Sequence, residues 1–305
     1  MLHLYTYNAG KGDCIRIEYG DETSVHNIVI DTGVTSFAPS FQIICKSMTS
    51  HDLLILTHVD DDHIGGILSL LRFGWKCPFK EVRMNRSGTL SSGNAYLSVR
   101  QNDEVYSRLV DQGVDVKPIL AGEVIELYNA KITTIWPKEI IADNSRCDTP
   151  LAYQRDYGKS LNTLADEPIK TTDHSINNRN SIVFIFEYDG RRLLFTGDAW
   201  GTDIVEALKT VYASKQHFDL VKLPHHGAAG NLSEEYPNII QSDSFLICTD
   251  GVMHPDKQTI AKLIKWYGCC TVYSPSNWWS SGFFTDTDDR SSIELVQKEG
   301  VAIRW

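Results

Sequence analysis

No stretch of this 305-residue chain approaches the roughly 18 consecutive apolar residues of a membrane-spanning helix, so no membrane association is expected. Met1 to Tyr5 has neither the basic nor the apolar region of a secretory leader, and none is expected. The seven cysteines include no Cys-x-x-Cys pair and are odd in number, which speaks against a disulfide framework or a cysteine-based zinc ribbon. Cys269 and Cys270 are neighbours in an apolar segment and are expected in the core, and a reducing cytoplasm is the simplest setting. Basic residues are in deficit, 29 against 39 acidic, for a formal net charge of −10. That balance argues against a broad nucleic-acid-binding surface, which needs clustered Lys and Arg. It leaves a phosphate-bearing substrate open, because divalent ions at a site reverse the local field.

What the chain does have is an apolar share of 42%, enough for a sizeable core. It also has one dense polar stretch, Thr57-His58-Val59-Asp60-Asp61-Asp62-His63-Ile64-Gly65-Gly66. The apolar run Leu53 to Leu56 before it predicts a buried strand, and Ile67 to Leu71 after it a helix. Two histidines and three aspartates therefore sit on a short turn at a strand end, where sites of α/β proteins open. His58, Asp60 and Asp62 share one parity, with His63 adjacent, so imidazole nitrogen and carboxylate oxygen can be aimed at two neighbouring points. That donor set suits zinc, or manganese where oxygen dominates. The plain alternative is a solvated acidic turn, which the preceding strand and following Gly-Gly disfavour.

Around this stretch, strands are predicted over 2–7, 14–19 and 26–31, a helix over 36–48, and an edge strand over 80–84. A helix over 98–112, with Val99, Val105, Leu109 and Val110 near one face, precedes strands over 115–119, 122–128 and 131–136. Residues 138–177 are polar without a sustained period and are expected to form an insertion beside the site. A hairpin closes on Asp189-Gly190 and ends in Thr196-Gly197-Asp198. A helix over 200–214, with Val211 on its apolar face, a strand over 219–223, a strand over 244–248 and a helix over 256–266 follow. Segments 271–274 and 292–304 are expected to complete a second sheet, and the whole of 1–305 is read as one α/β domain.

Further candidates also lie at strand ends. Asp198 alone suits a helix cap, but beside the first motif a ligand role is favoured. His225 and His226 in Leu223-Pro224-His225-His226-Gly227 are adjacent, and two such histidines are rarely both core residues. His254 precedes Pro255 at a helix entry, and either helix entry or a substrate contact accounts for it. Asp13 ends one Gly-containing turn and Asp31 opens another, where each can bond nearby backbone N–H groups. The aromatic loop from Asn277 to Phe284 is expected mainly to pack.

His-x-Asp-x-Asp-His followed by Ile-Gly-Gly resembles the metal-binding signature of the metallo-β-lactamase superfamily. In its Asp60 variant it resembles the hydrolase domain of bacterial competence DNA-uptake proteins and the phosphorylcholine esterases. Asp13, Asp31, His58 to His63, Asp198, His225-His226 and His254 follow in that family's order over roughly residues 2–275. The resemblance implies a four-layer αββα sandwich with two mixed sheets and a two-metal site, zinc or possibly manganese, along one edge. It implies His58, Asp60 and Asp198 on one ion, and Asp62, His63, His226 and the shared Asp198 on the other, with Asp13 and Asp31 behind them. Sequence alone does not choose between His225 and His226; analogy with the phosphorylcholine esterases favours His226 as ligand. The family's third-motif histidine is missing, and Asn178, His174 or water stands for it, so the His58/Asp60 ion would be the weaker one. Asp62 would orient the water nucleophile formed between the ions, while His254 or His225 would face substrate. The implied activity is hydrolysis of a phosphodiester, from a small nucleotide to single-stranded nucleic acid. Hydrolysis of a carboxylic ester, lactone or amide on the same site is the alternative, as is a non-catalytic binding module of a defence or uptake complex.

Overall fold

Four apolar residues in succession within a strand need cover on both faces, and Leu53-Leu54-Ile55-Leu56 is such a strand. A computed structural model of the chain describes residues 1–86, 97–142, 155–170, 173–280 and 282–305. Its first half runs β1 (Leu2–Thr6), β2 (Ile15–Gly20), β3 (Val25–Ile30), α1 (Ala38–Cys45), β4 (Leu53–Leu56), α2 (Asp61–Arg72), β5 (Glu81–Met84), α3 (Leu97–Asp111) and β6 (Asp115–Lys117). Then come β7 (Val124–Leu127), β8 (Ala130–Trp136), α4 (Leu161–Asp166), α5 (Ile176–Arg179), β9 (Val183–Tyr188), β10 (Arg191–Phe195), α6 (Gly201–Val211), β11 (Gln216–His217) and β12 (Leu220–Lys222). The chain finishes with α7 (Tyr236–Ile239), β13 (Ile240–Gln241), β14 (Ser244–Leu246), α8 (Lys257–Tyr267), β15 (Cys270–Ser274), β16 (Ile293–Gln297) and β17 (Gly300–Arg304).

Two large sheets result, in the orders β17-β1-β2-β3-β4-β5-β6 and β16-β15-β14-β12-β10-β9-β8-β7. Each is antiparallel where hairpins join neighbours and parallel where helices cross over, from β3 to β6 in the first and from β10 to β16 in the second. Alternation along the strands sorts the core into three slabs. Leu53 and Ile55 of β4 join Ile28, Phe184, Leu193 and Leu220 between the sheets. Leu54 and Leu56 turn outward onto Phe41, Ile64, Ile67 and Leu109 of α1 to α3. On the far side, Ile185, Leu194 and Val221 meet Ile204, Leu208, Ile260 and Leu263 of α6 and α8. The layers are therefore helix, sheet, sheet, helix, as expected.

Five expectations need correction. Cys269 is exposed, and only its neighbour Cys270 lies in the core. Strand β5 is interior, because β6 pairs beyond it, and its Arg83 is buried and tied to Glu81 and Glu123. Residues 292–304 do not all complete the second sheet: β16 does, but β17 crosses over and pairs antiparallel with β1 in the first. Val110 and Val211 are 45% and 47% exposed, the one rotated about 100° from Leu109, the other at the last residue of α6. The polar stretch after β4 is only briefly a turn, since Asp61, Asp62 and His63 already form the first turn of α2. That helix lies close against the loop after β3, where a Cβ on Gly66 would come 2.0 Å from the Thr32 carbonyl oxygen. The aromatic loop packs, with Trp278 and Phe283 buried edge-to-face.

Part of the polar segment is anchored. Leu161 and Leu164 are buried in the slab beneath α8. The Asp156 carboxylate accepts hydrogen bonds from the Lys257 and Gln258 amides (2.8 and 2.7 Å), capping α8 from a distant point in the chain. Lys257 Nζ donates to the Tyr157 and Lys159 carbonyls and pairs with Asp288 Oδ2 at 2.6 Å, both side chains fully buried. Residues 143–154, 171 and 172 of the expected insertion lie outside the described residues. Lys257→Met should strand the Asp288 carboxylate and lower stability by about 3–5 kcal/mol, read as a lower urea midpoint. Lys257→Met with Asp288→Leu, which removes both charges, should recover most of that loss.

Candidate metal centre

The end of β4 is locked to the end of β3 by one carboxylate. Asp31 sits in the left-handed region (φ 58), unusual for a residue with a side chain. Its oxygens accept from Thr57 N (2.7 Å), Thr57 Oγ1 (2.6 Å) and His63 Nδ1 (2.7 Å). Asp60 has extended geometry at the N-cap of α2, and Asp61 and Asp62 fill its first turn, where the helix dipole favours anions. Across the interface between sheets, β10 delivers Asp198, whose amide donates to Ser181 Oγ (3.0 Å). Strand β12 delivers His225 and His226, both left-handed (φ 46 and 54), the kind of strain that folds retain at functional sites.

Four histidines then point one nitrogen each at a single oxygen. Asp198 Oδ2 is 3.4 Å from the Nε2 atoms of His63 and His226, 3.9 Å from that of His58 and 4.0 Å from that of His225. The opposite ring nitrogens face acceptors: His63 Nδ1 has Asp31, and His226 Nδ1 has the Cys248 carbonyl (2.9 Å) and Asp13 Oδ1 (3.2 Å). His225 Nδ1 has Asn231 Oδ1 (3.1 Å) and Asp173 Oδ2 (3.3 Å). Such partners place the proton on Nδ1 and leave the Nε2 lone pair inward. Among the described residues, the Nε2 atoms of His58, His63 and His226 and Asp198 Oδ1 are buried without a hydrogen-bond partner. Buried polar atoms are rarely left so, and convergent orphaned imidazole nitrogens around a carboxylate fit a cation. Asp60 Oδ2 lies 3.9 Å from His58 Nε2, and Asp62 Oδ2 lies 3.8 Å from His226 Nε2, extending the donor set to either side.

The charges show the same demand. Burial raises the Asp62 carboxyl, but His63 and His226 outweigh it and hold it down at about 2. Asp198 is likewise driven well below its ordinary value against the cost of burial, by His226, His63 and His225. Burial would lower His226, yet Asp198 and Asp13 lift it to about 10, and Asp198 and Asp31 lift His63. His58 goes the other way, lowered by burial and by its neighbour His63. The carboxylates thus draw protons onto His63 and His226 but not onto His58.

Of the expected residues, His58, Asp60, Asp62, His63, Asp198, His225 and His226 come together. Asn178 is buried, but its Nδ2 donates to Asp173 Oδ2 (2.9 Å) and lies 3.4 Å from His225 Nδ1, so it stands behind His225 as seen from Asp198. His174 is exposed. His254 packs edge-on against the His225 ring, 5.1 Å between centroids, beside the cluster. Asp13 and Asp31 do support histidines. Four participants had been assigned no role: Asp173, Asn231, Asn177, whose Nδ2 donates to Asp60 Oδ1 (3.0 Å), and Lys222. Lys222 is buried against Asp13 Oδ2, 3.5 Å from Asp198 Oδ1 and donating to the Gly197 carbonyl (2.8 Å). A lysine inside the apolar run Leu220-Val221-Lys222-Leu223 was the available signal.

No protein-family model matches the chain. ComE operon protein 3 of Bacillus subtilis (strain 168) is 22% identical over 295 residues, covering 87% of this chain and 32% of that protein. The chain thus spans about a third of the length of that curated relative. Among solved structures, Zn²⁺-bound PqqB from Methylobacterium extorquens superposes with a TM-score of 0.48 at 11% identity, covering 99% of this chain and all of that one. YhfI from Bacillus subtilis, a metallo-β-lactamase fold protein, gives 0.48 at 9% with both chains fully covered. A diphosphatase of the PhnP family gives 0.45 at 12%, covering 100% and 98%. From the layer order, the half-parallel sheets and the histidine–aspartate cluster at their strand ends, the fold is that of the metallo-β-lactamase superfamily.

Proposed function

We propose that this chain is a metal-dependent hydrolase that holds two divalent ions and cleaves phosphodiesters of small or single-stranded substrates. The observation that carries the reading is the approach of four imidazole Nε2 atoms to one buried carboxylate oxygen. A purely structural histidine cluster would spend those nitrogens on hydrogen bonds. His58, Asp60, His225 and Asp198 are assigned to one ion, and Asp62, His63, His226 and Asp198 to the other. His225 thereby replaces the family's missing third-motif histidine. Asn178 becomes a support, holding Asp173 against the far nitrogen of His225. The mixed nitrogen and oxygen donors suit zinc, with manganese as the alternative.

Divalent ions bound there would make water a stronger acid and stabilise negative charge on the reacting group's oxygens. The Asp62 carboxylate, ionised and turned toward His226, accepts a hydrogen bond from the attacking water and orients it. As the water oxygen bonds to phosphorus, its proton passes to the Asp62 carboxylate, the ester P–O bond breaks, and the leaving oxygen takes a proton from His254. Asp62 then releases its proton to solvent, and His254 regains one from solvent. Phosphorus suits paired cations, which can serve both attacking and leaving oxygens. The resemblance to competence-type hydrolase domains supports the same substrate class.

Zinc-loaded protein should hydrolyse bis(p-nitrophenyl) phosphate with higher kcat/KM than p-nitrophenyl acetate or a lactone, with Asp62→Ala as control for contaminating nucleases. Ester or lactone turnover that leads the panel and disappears in Asp62→Ala would reassign the substrate. By elemental analysis, two ions per chain are expected; Asp198→Ala should lose both, and His225→Ala one. His254→Ala should keep both while kcat falls by about 10²-fold. Equal metal content in wild type and His225→Ala would return Asn178 or water to the ligand set.

A pH dependence follows for the metal-free protein. His226 rises from 6.5 to about 10 in the folded chain, and His63 shifts the same way. Raised pKa values give stability that is full below the ordinary histidine value and lost as pH climbs through the folded one. Chelator-treated protein should therefore melt at lower temperature at pH 10 than at pH 7. Zinc-loaded protein, which needs neutral imidazoles, should not show that fall. A metal-free Tm that is flat or rising over this range would remove the imidazolium charges.

A further inference from the structure

Among the described residues, two ammonium groups touch the carboxylates of the centre, and they differ in access. The Lys222 side chain is 1% exposed and walled between Asp13 and Asp198, so it can meet no ligand. Lys11 Nζ lies 3.3 Å from Asp62 Oδ2 with 53% of its side chain in solvent. Its position is set by glycines on either side. A Cβ on Gly12 would fall 1.8 Å from the Asp62 carbonyl oxygen, and one on Gly10, itself left-handed (φ 72), 3.0 Å from Val34 Cγ2. The Asp13 amide, one residue on, donates to that same Asp62 carbonyl (3.2 Å). The turn therefore lies flat on the first turn of α2, and between the glycines it displays one side chain, a lysine, at the outer face of the cluster.

We propose that Lys11 is the anion contact of this site. Its ammonium binds a non-bridging oxygen of the scissile group and biases the site toward anionic over neutral substrates. The proposal rests on the metal-centre reading above and names a determinant of its substrate class. An ion pair whose lysine is half in solvent contributes little, so exchanging Asp62 for a substrate oxygen costs little. The exchange also suits the charges: Asp62 faces the histidine cluster with its carboxylate, and a ligand that neutralises it there leaves Lys11 a free cation. In a chain of net charge −10, an anionic substrate needs such a local counter-charge. Lys222 answers the internal carboxylates, and Lys11 faces outward.

The test compares zinc-loaded wild type, Lys11→Gln and Lys11→Arg by three measurements. Zinc per chain should be equal in all three. Inorganic phosphate, titrated calorimetrically, should bind Lys11→Gln about tenfold more weakly than wild type, with Lys11→Arg close to wild type. KM for bis(p-nitrophenyl) phosphate should rise about tenfold in Lys11→Gln with kcat within about twofold, while p-nitrophenyl acetate kinetics stay unchanged. Unchanged phosphate binding in Lys11→Gln overturns the proposal, as does absence of phosphate binding in wild type. A loss of zinc in Lys11→Gln also overturns it, since Lys11 would then serve the ligands. Phosphate binding that depends on Lys11 without phosphodiester turnover in wild type keeps the anion contact and removes the phosphodiesterase reading.

Discussion

Much of this structure depends on how one buried oxygen, Asp198 Oδ2, is neutralised. Four imidazole nitrogens approach it, Asp60 and Asp62 flank those imidazoles, and Asp13 and Asp31 stand behind two of them. Carboxylates gathered in a low-dielectric interior repel one another strongly unless cations answer them. One answer is covalently built in: Lys222, held between Asp13 and the second oxygen of Asp198. The rest must come from protons on histidine or from bound ions, and the inward Nε2 atoms are arranged for either.

The sandwich explains how such a cluster can be held. Its residues come from strand ends of both sheets, so the slab of Ile55, Phe184, Phe195 and Leu220 between the sheets fixes the distance across the centre. Dense packing resists adjustment there. Three of the four histidines are then turned by a local device: Asp31 for His63, the Cys248 carbonyl for His226, and Asp173 with Asn231 for His225. The left-handed backbone at His225 and His226 lets two consecutive side chains reach the same oxygen, which extended alternation would forbid.

How far the sequence reveals this varies with the kind of interaction. The cluster from His58 to His63, Asp198 and the histidine pair are legible because polar residues interrupt apolar runs at predicted strand ends. The four-layer order is implied by the resemblance to the metallo-β-lactamase superfamily; the runs by themselves give only strands and helices in sequence. That both histidines of the pair face one oxygen is not legible, since it depends on two positive φ angles. Asp173 is not legible either: it lies in a uniformly polar segment, and its partners His225 and Asn231 are far along the chain. Strands β16 and β17 follow one another closely and are both partly buried, so nothing local assigns one to each sheet. The interior place of β5 is not legible either, because burial of Arg83 is unexpected until Glu81 and Glu123 are seen to pair with it.

The most direct measurement is anomalous diffraction at the zinc edge from crystals of zinc-loaded protein. Two peaks are expected on either side of Asp198 Oδ2, one among His58, Asp60 and His225, the other among Asp62, His63 and His226, all four histidines bound through Nε2. No peak within the cluster, or a peak bound by Asn178 with His225 turned away, would contradict the two-ion centre described above.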